Sequence, residues 1–170
     1  MSEIRYRDAG FADAALIADL FERSFCETFA HLYRPEDLAA FLEGVTAEAF
    51  AAELSDPAFE IRIAEADGVA VGFAKLGNPS LPVETPPGTL ELWQIYVLNG
   101  WQGAGIGPAL FDWAAGRARD RGARHLQLTV YVDNHRAKAF YQRREFREIG
   151  RYDFMVGSHA DEDIIMRALL

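Results

Sequence analysis

The fold is decided by the run Leu90-Glu91-Leu92-Trp93-Gln94-Ile95-Tyr96-Val97, by the loop Gln102-Gly103-Ala104-Gly105-Ile106-Gly107 that follows it, and by an apolar periodicity from Pro108 to Arg121. The first run is rich in β-branched and aromatic residues and predicts a strand over residues 89–98. The last segment predicts a helix, which Gly122 would cap at its C-terminus. Strand, glycine loop and helix therefore follow one another directly.

The glycine loop has the composition of an anion cradle. A helix N-terminus leaves backbone N–H groups unpaired and carries a partial positive charge. Glycines at 103, 105 and 107 allow close approach of the backbone, and Pro108 stands where a missing N–H costs nothing. We therefore predict a phosphate or pyrophosphate site at this loop, with a tight turn that binds no ligand as the alternative.

Two familiar nucleotide loops do not match this sequence. A dinucleotide fingerprint requires a third glycine where Pro108 or Leu110 stands, and a P-loop requires a Gly-Lys-Ser/Thr run that is absent. A nucleotide-binding module is accordingly disfavoured.

Working outward, the remaining elements alternate in type. Strands are predicted over 3–7, 59–66, 69–76, 126–132, 146–156 and 163–169, and helices over 11–30, 35–42, 47–54 and 134–144. Asp67-Gly68 is a hairpin signal, and Asn134 is a good N-cap. This order predicts an α/β fold over residues 1–170, a single domain with a central mixed sheet of six to seven strands flanked by about four helices.

Composition narrows the class of protein. The chain has 170 residues and one cysteine, Cys26, and it has no signal-peptide pattern and no apolar run of roughly 20 residues, so we expect a cytoplasmic protein without a membrane partner. The net charge of −9 disfavours nucleic acid and suits a cationic substrate. His125, His135 and His159 show no metal-ligand spacing, and no metal is predicted.

The glycine loop also carries a family resemblance. Gln102 to Gly107 matches the Gln/Arg-x-x-Gly-x-Gly/Ala signature of the GNAT family of N-acetyltransferases. The strand before the loop resembles that family's central strand, and its next motif is similar to the series Asn134, Ala137, Phe140, Tyr141 and Phe146. In detail the chain most resembles bacterial polyamine (spermidine/spermine)-type enzymes. The resemblance implies the GNAT fold and an acetyl-CoA-dependent N-acetyltransferase.

The resemblance also implies which residues hold acetyl-CoA. They are Ile95, Tyr96, Val97, Gln102, Gly103, Ala104, Gly105, Ile106, Gly107, Asn134, Ala137, Phe140 and Tyr141. One departure from the family is Glu145, which stands where a glycine usually precedes the phenylalanine and must end its helix without glycine's freedom at positive φ.

The strand before the loop changes its apolar phase between Leu92 and Ile95. We predict a β-bulge near residues 93–95, and a strand buried on both faces is the alternative. In the family the central strand splays from its neighbour and admits the pantetheine arm of the cofactor. The backbone N–H of Val97 would then be free to stabilise negative charge on the thioester carbonyl.

Two residues are candidates for proton transfer. Tyr141 occupies the position of the family's sulfur-facing tyrosine, and a phenol with a pKa of about 10 suits a departing thiolate. The alternative is a tyrosine that only packs. Glu91 could accept the amine's proton through water, unless it faces solvent or pairs with an arginine.

The acceptor is expected between the first two helices and the last two strands. The candidate residues are His31, Tyr33, Glu36, Trp93 and Tyr152. The expected acceptor is the primary amine of a small cationic molecule, with a polyamine first, attacking the thioester directly. A protein or peptide amine, an aminoglycoside, and a catalytically silent acetyl-CoA-binding regulator remain as alternatives. A homodimer through exposed C-terminal strands is a further expectation.

Overall fold

The computed structural model describes residues 1–170 as one mixed sheet between two layers of helices. The strands are β1 Ile4–Asp8, β2 Glu60–Ala66, β3 Val69–Gly77, β4 Thr89–Val97, β5 His125–Tyr131, β6 Arg147–Val156 and β7 His159–Leu169. The helices are α1 Ala14–Phe29, α2 Pro35–Leu42, α3 Ala47–Leu54, α4 Ile106–Asp120 and α5 His135–Gln142. The predicted fold class is confirmed, with five α-helices instead of about four.

The sheet has the order β1-β2-β3-β4-β5-β7-β6. Only β4 and β5 run parallel, because α4 crosses over between them, and every other neighbouring pair is antiparallel. The edge strands are β1 and β6, so the last strand of the chain lies inside the sheet. No helix is long and apolar enough to cross a membrane.

Each face of the sheet has its own hydrophobic core. One core holds the apolar face of α4, including Leu110 and Ala114, with the α4-facing residues of the central strands. The other holds Ile17, Phe21 and Phe25 of α1 against the opposite face of the sheet. The amphipathic periods of α1 and α4 therefore decide which side of each helix is buried.

The predicted hairpin turn, helix C-terminus and helix N-cap are all present in the structure. Asp67 and Gly68 form the β2–β3 turn with φ of 50° and 84°. Gly122, at φ 82°, ends α4, and the N–H of Ala123 donates to the carbonyl of Ala118 at 2.9 Å, which closes a Schellman motif. Asn134 Oδ1 accepts a hydrogen bond from the Ala137 N–H at 3.2 Å and so caps α5.

The bulge predicted in β4 is confirmed. Lys75 pairs with Gln94 whereas Leu76 pairs with Leu92, so Trp93 is the extra residue on β4. Because of this extra residue, Leu92 before the bulge and Ile95 after it pack on the same α4 face of the sheet. The bulge at Trp93 therefore explains the change of apolar phase in the sequence.

Among the element boundaries, the start of the last strand differs most from the sequence prediction. The last strand begins at His159, four residues before the predicted start, because Gly157, at φ 57°, and Ser158 form a tight turn directly after β6. Glu145 adopts φ 65°, the left-handed conformation that glycine usually supplies. The turn after α5 therefore keeps a glycine geometry without the glycine.

Candidate active site

The centre of the sheet contains an opening between β4 and β5. These strands pair only where Thr89–Glu91 meets His125–Gln127, and beyond Gln127 strand β5 continues beside β7 while the bulged β4 diverges. A cavity of about 620 Å³ lies at this opening. Residues of α1, β4, β5, α5 and the β6–β7 hairpin line it, so it reaches both faces of the sheet.

The end of β4 presents a backbone donor to the opening. The Leu98 N–H donates to the Val71 carbonyl at 2.9 Å, which makes Val97 and Gly72 a non-hydrogen-bonded pair. The N–H of Val97 therefore points away from β3, toward the side where the ladder to β5 has already ended. This is the direction required of a donor to a thioester oxygen in the gap.

The glycine loop is built as an open cradle. Gly103 and Gly105 have φ of 85° and 81°, which explains both glycines. The N–H groups of Gly103, Gly105, Ile106 and Gly107 have no acceptor within the chain. They surround the positive end of α4, a helix of 15 residues. Gly107 has neither a positive φ nor any atom within 4 Å of an added Cβ, so its missing side chain leaves room for something outside the chain. The loop thus fits a pyrophosphate group.

Tyr141 is buried at the α5 side of the opening. Its side chain is 6% exposed and packs edge-on against Phe140 and Phe146, while it also lines the cavity. The hydroxyl has no hydrogen-bond partner in the chain. Burial raises the pKa of Tyr141, so the phenol stays protonated in the physiological range and is able to donate.

The other residues expected around acetyl-CoA fall into two groups. Ile95, Tyr96, Asn134 and Ala137 line the same cavity as Tyr141. Phe140 does not line it, and instead packs against Phe111 with the guanidinium of Arg144 3.5 Å from its ring centre. Phe140 therefore packs α5 against α4 and does not face the cavity.

Glu91 is buried and already hydrogen-bonded. Its side chain is 4% exposed and accepts from the Ser80 N–H at 2.8 Å, the Ser80 hydroxyl at 2.9 Å and the Gln127 amide at 3.2 Å. It lines the cavity, neither facing solvent nor pairing with an arginine. The three donors satisfy a carboxylate that burial would otherwise destabilise.

The residues expected around the acceptor are only partly brought together. Tyr33, Trp93 and Tyr152 line the cavity, whereas His31 and Glu36 lie outside its lining. The ring of Trp93 already faces a cation, because the ammonium of Lys75 lies 5.2 Å from its centre. The lining therefore keeps the predicted aromatic residues but draws its charged groups from other positions.

Four charged residues of the cavity escaped the sequence analysis, namely Glu53, Lys75, Asp161 and Asp163. Lys75 is a lone cation within the apolar strand β3, and the early start of β7 places Asp161 and Asp163 two residues apart on one face. Tyr33 donates its hydroxyl hydrogen bond to Asp161. Asp161 and Asp163, at alternate positions next to an apolar run, are a pattern that could have indicated this acidic pair. The predicted strand began at residue 163 and therefore left Asp161 outside it.

Asp163 is the most perturbed acid of the cavity. Burial raises the pKa of its carboxyl to about 7, the charge of Asp161 adds to the rise, and the polar side chain of Thr129 opposes it. The same face carries Tyr96, whose pKa is raised first by burial and then by the negative charge of Asp163. Tyr96, Asp163 and Tyr141 all line the cavity.

The model of the acetyltransferase (GNAT) family matches residues 17–146. An uncharacterized N-acetyltransferase of Mycobacterium tuberculosis is 32% identical over 155 residues, which cover 91% of this chain and 96% of that protein. An aminoglycoside N(6')-acetyltransferase type 1 of Stenotrophomonas maltophilia is 37% identical over 94 residues, covering 51% of this chain and 58% of that protein.

Among solved structures, the PaiA N-acetyltransferase of Thermoplasma acidophilum in complex with coenzyme A is similar with a TM-score of 0.78 and 21% identity, covering 99% of each chain. That likeness shows the fold. The family match spans the bulged strand, the glycine loop and Tyr141, which the structure assembles around one opening. The chain therefore belongs to the GNAT family and is an acetyl-CoA-dependent N-acetyltransferase.

Proposed function

We propose that this enzyme transfers the acetyl group of acetyl-CoA to the primary amine of a small cationic acceptor by direct attack. The observation that carries the proposal is the cavity that passes through the β4–β5 opening. On one side it meets Tyr141 and the N-terminal part of α5, and on the other an aromatic wall with buried carboxylates. Donor and acceptor can therefore reach each other without a covalent enzyme intermediate.

In this proposal each part of the opening has one task. The unpaired N–H groups of the glycine loop hold the pyrophosphate, and the pantetheine arm enters where β4 and β5 separate. The amine nitrogen attacks the thioester carbon, whose oxygen gains negative charge beside the Val97 N–H. The C–S bond breaks, and the phenol of Tyr141 gives its proton to the departing thiolate.

The experiment follows thiol release from acetyl-CoA with a panel of amines. The panel contains spermidine, an aminoglycoside, an N-terminal peptide, a small aliphatic monoamine and an aromatic monoamine. The aminoglycoside is included because one relative bears that function in its name, and spermidine because of the polyamine-type resemblance. We expect turnover with a small amine. If acetyl-CoA binds and its thiol is released only when the peptide is the acceptor, a small-molecule acceptor is contradicted.

A further inference from the structure

The cavity contains four carboxylates and one ammonium, and three of these carboxylates are already occupied. Glu53 pairs with Lys75 at 2.6 Å. Glu91 accepts its three hydrogen bonds from Ser80 and Gln127. Asp161 accepts from Tyr33 and lies 3.1 Å from the His159 ring nitrogen.

Asp163 is the carboxylate of the cavity that has neither an ion pair nor hydrogen bonds of the kind that occupy Glu53, Glu91 and Asp161. Asp163 is 7% exposed, lines the cavity and takes part in no ion pair, and the Thr129 side chain is the polar neighbour that favours its charged form. A buried carboxylate without a cation is costly to the fold, and such groups are found where a ligand supplies the missing charge. An acceptor ammonium would supply it.

The rest of the cavity offers no unoccupied carboxylate to a second ammonium on the acceptor. Of the 30 lining residues 20 are hydrophobic, with many aromatic rings from α1, α2 and α3. Beyond these rings, Lys75 lies within 5.5 Å of the ring centres of Phe50, Phe59 and Trp93. Strands β4 and β5 separate β3 from β7 in the sheet, so the backbones at Lys75 and Asp163 are at least roughly 14 Å apart across it. A second ammonium would meet a cation that already occupies the aromatic site.

We propose that Asp163 binds the acceptor's ammonium group and accepts its proton, and that the acceptor is a monoamine with an apolar, aromatic or aliphatic body. This rests on the proposed function and deepens it, because it replaces a general cationic acceptor by one with a single charge. The base is then Asp163 and not Glu91, whose oxygens are held by Ser80 and Gln127.

The proton balance of this step closes. Of the three ammonium protons, one goes to the Asp163 carboxylate and from there to water. A second leaves as the N–C bond forms and replaces the proton that Tyr141 gives to the thiolate. The third stays on the amide nitrogen, so the products are the N-acetylated amine, the free thiol and one proton.

The groups that face Asp163 favour a titration near neutrality. Asp161 on the same strand carries the one neighbouring charge, with His159 on its far side. Tyr33, Tyr96 and Tyr131 face it from the segment before α2, from β4 and from β5, and burial raises the pKa of each phenol, so all three are neutral at pH 7. Tyr152 of β6 lies opposite Asp163 in the ladder. The carboxylate form therefore prevails above about pH 7.

The substrate test compares hexylamine with 1,6-diaminohexane, which differ by the second ammonium, and phenethylamine with spermidine. We expect kcat/KM for each monoamine to exceed that of its charged counterpart by at least about tenfold, or 1.4 kcal/mol. Equal or better turnover of the diamine or of spermidine would overturn the monoamine assignment.

The residue test compares Asp163→Asn with Glu162→Gln, a neighbour that is exposed on the opposite face of β7 and pairs with Arg151. For Asp163→Asn we expect kcat/KM to fall about 100-fold and the acidic limb near pH 7 to disappear. Acetyl-CoA affinity should be unchanged, and Glu162→Gln should resemble the wild type. Unchanged amine kinetics in Asp163→Asn would overturn the assignment while leaving the proposed function intact.

Calorimetric titration with phenethylamine tests the Asp163 subsite independently of turnover. If no amine is turned over, binding that is lost in Asp163→Asn and kept in Glu162→Gln supports the Asp163 subsite, and the proposed function is what fails. Binding that is equal in the two variants overturns the subsite.

Discussion

At the residue scale, Tyr141 combines a packed ring with a hydroxyl that lines the cavity. The packing against Phe140 and Phe146 fixes the ring, and burial keeps the phenol protonated. For Tyr141→Phe we expect kcat to fall about 100-fold because the thiolate loses its proton donor. The dissociation constant of acetyl-CoA should stay within about twofold, since the ring and its packing are retained.

Steady-state thiol release and calorimetric titration with acetyl-CoA measure the two quantities separately. A variant with wild-type kcat would show that Tyr141 only packs. A parallel loss of cofactor affinity would show that its hydroxyl binds the cofactor instead.

Glu145 is a second residue with a local prediction. Its φ of 65° costs a residue with a Cβ about 1 kcal/mol, and its side chain is exposed without a hydrogen-bond partner. Glu145→Gly should therefore raise the free energy of unfolding by up to about 0.5 kcal/mol, after subtraction of glycine's entropy in the unfolded chain, which costs roughly 0.5–1 kcal/mol. Urea unfolding measures the change. A destabilised variant would show that Glu145 contributes a contact that compensates for its backbone.

At the element scale, α4 offers two glycines that separate binding from stability. Gly107 and Gly116 both lie in the helix, and an added Cβ meets nothing within 4 Å at either position. Only Gly107 lies beside the unpaired N–H groups of the loop. Gly107→Val should weaken acetyl-CoA binding about tenfold by filling the cradle, whereas Gly116→Val should leave affinity unchanged.

Calorimetric titration with acetyl-CoA and a melting curve for each variant make the comparison. Both valines improve on glycine's helix propensity by a few tenths of a kcal/mol, so neither protein should melt earlier than the wild type. Equal affinity in the two variants would remove Gly107 from the pyrophosphate site.

For the whole molecule, Asp163 couples stability to pH. Its pKa is raised to about 7 in the folded protein, so its favourable contribution is complete below the unfolded value of about 4 and is lost as pH rises through 7. Asp163→Asn removes this loss. The stability gained by the variant should be larger at pH 8 than at pH 5, by on the order of 2 kcal/mol.

Thermal unfolding of wild type and variant at the two pH values tests this prediction, with Glu162→Gln as the exposed control. An equal difference at pH 5 and pH 8 would place the titration of Asp163 outside this window. The expected gain also illustrates how a group needed for binding can reduce the stability of the ligand-free fold.

The sequence by itself determined the order of elements, the bulge at Trp93, the hairpin at Asp67-Gly68 and the cap at Asn134, because each depends on residues close together in the chain. The glycine loop was predictable for the same reason, since its φ angles and free N–H groups are local properties. The family resemblance added Tyr141, and its place in the cavity agrees with that expectation.

Only the tertiary structure decided which charges line the cavity. Lys75, Glu91 and Asp163 lie on three different strands, and their meeting depends on where β4 leaves β5 and on the early start of β7. Whether a carboxylate is free depends on partners far away in sequence, such as Ser80 for Glu91 and Tyr33 for Asp161. Side-chain pairing across the sheet is a long-range property that no local pattern records, so the glycine loop could be predicted from the sequence and the charged lining of the cavity could not.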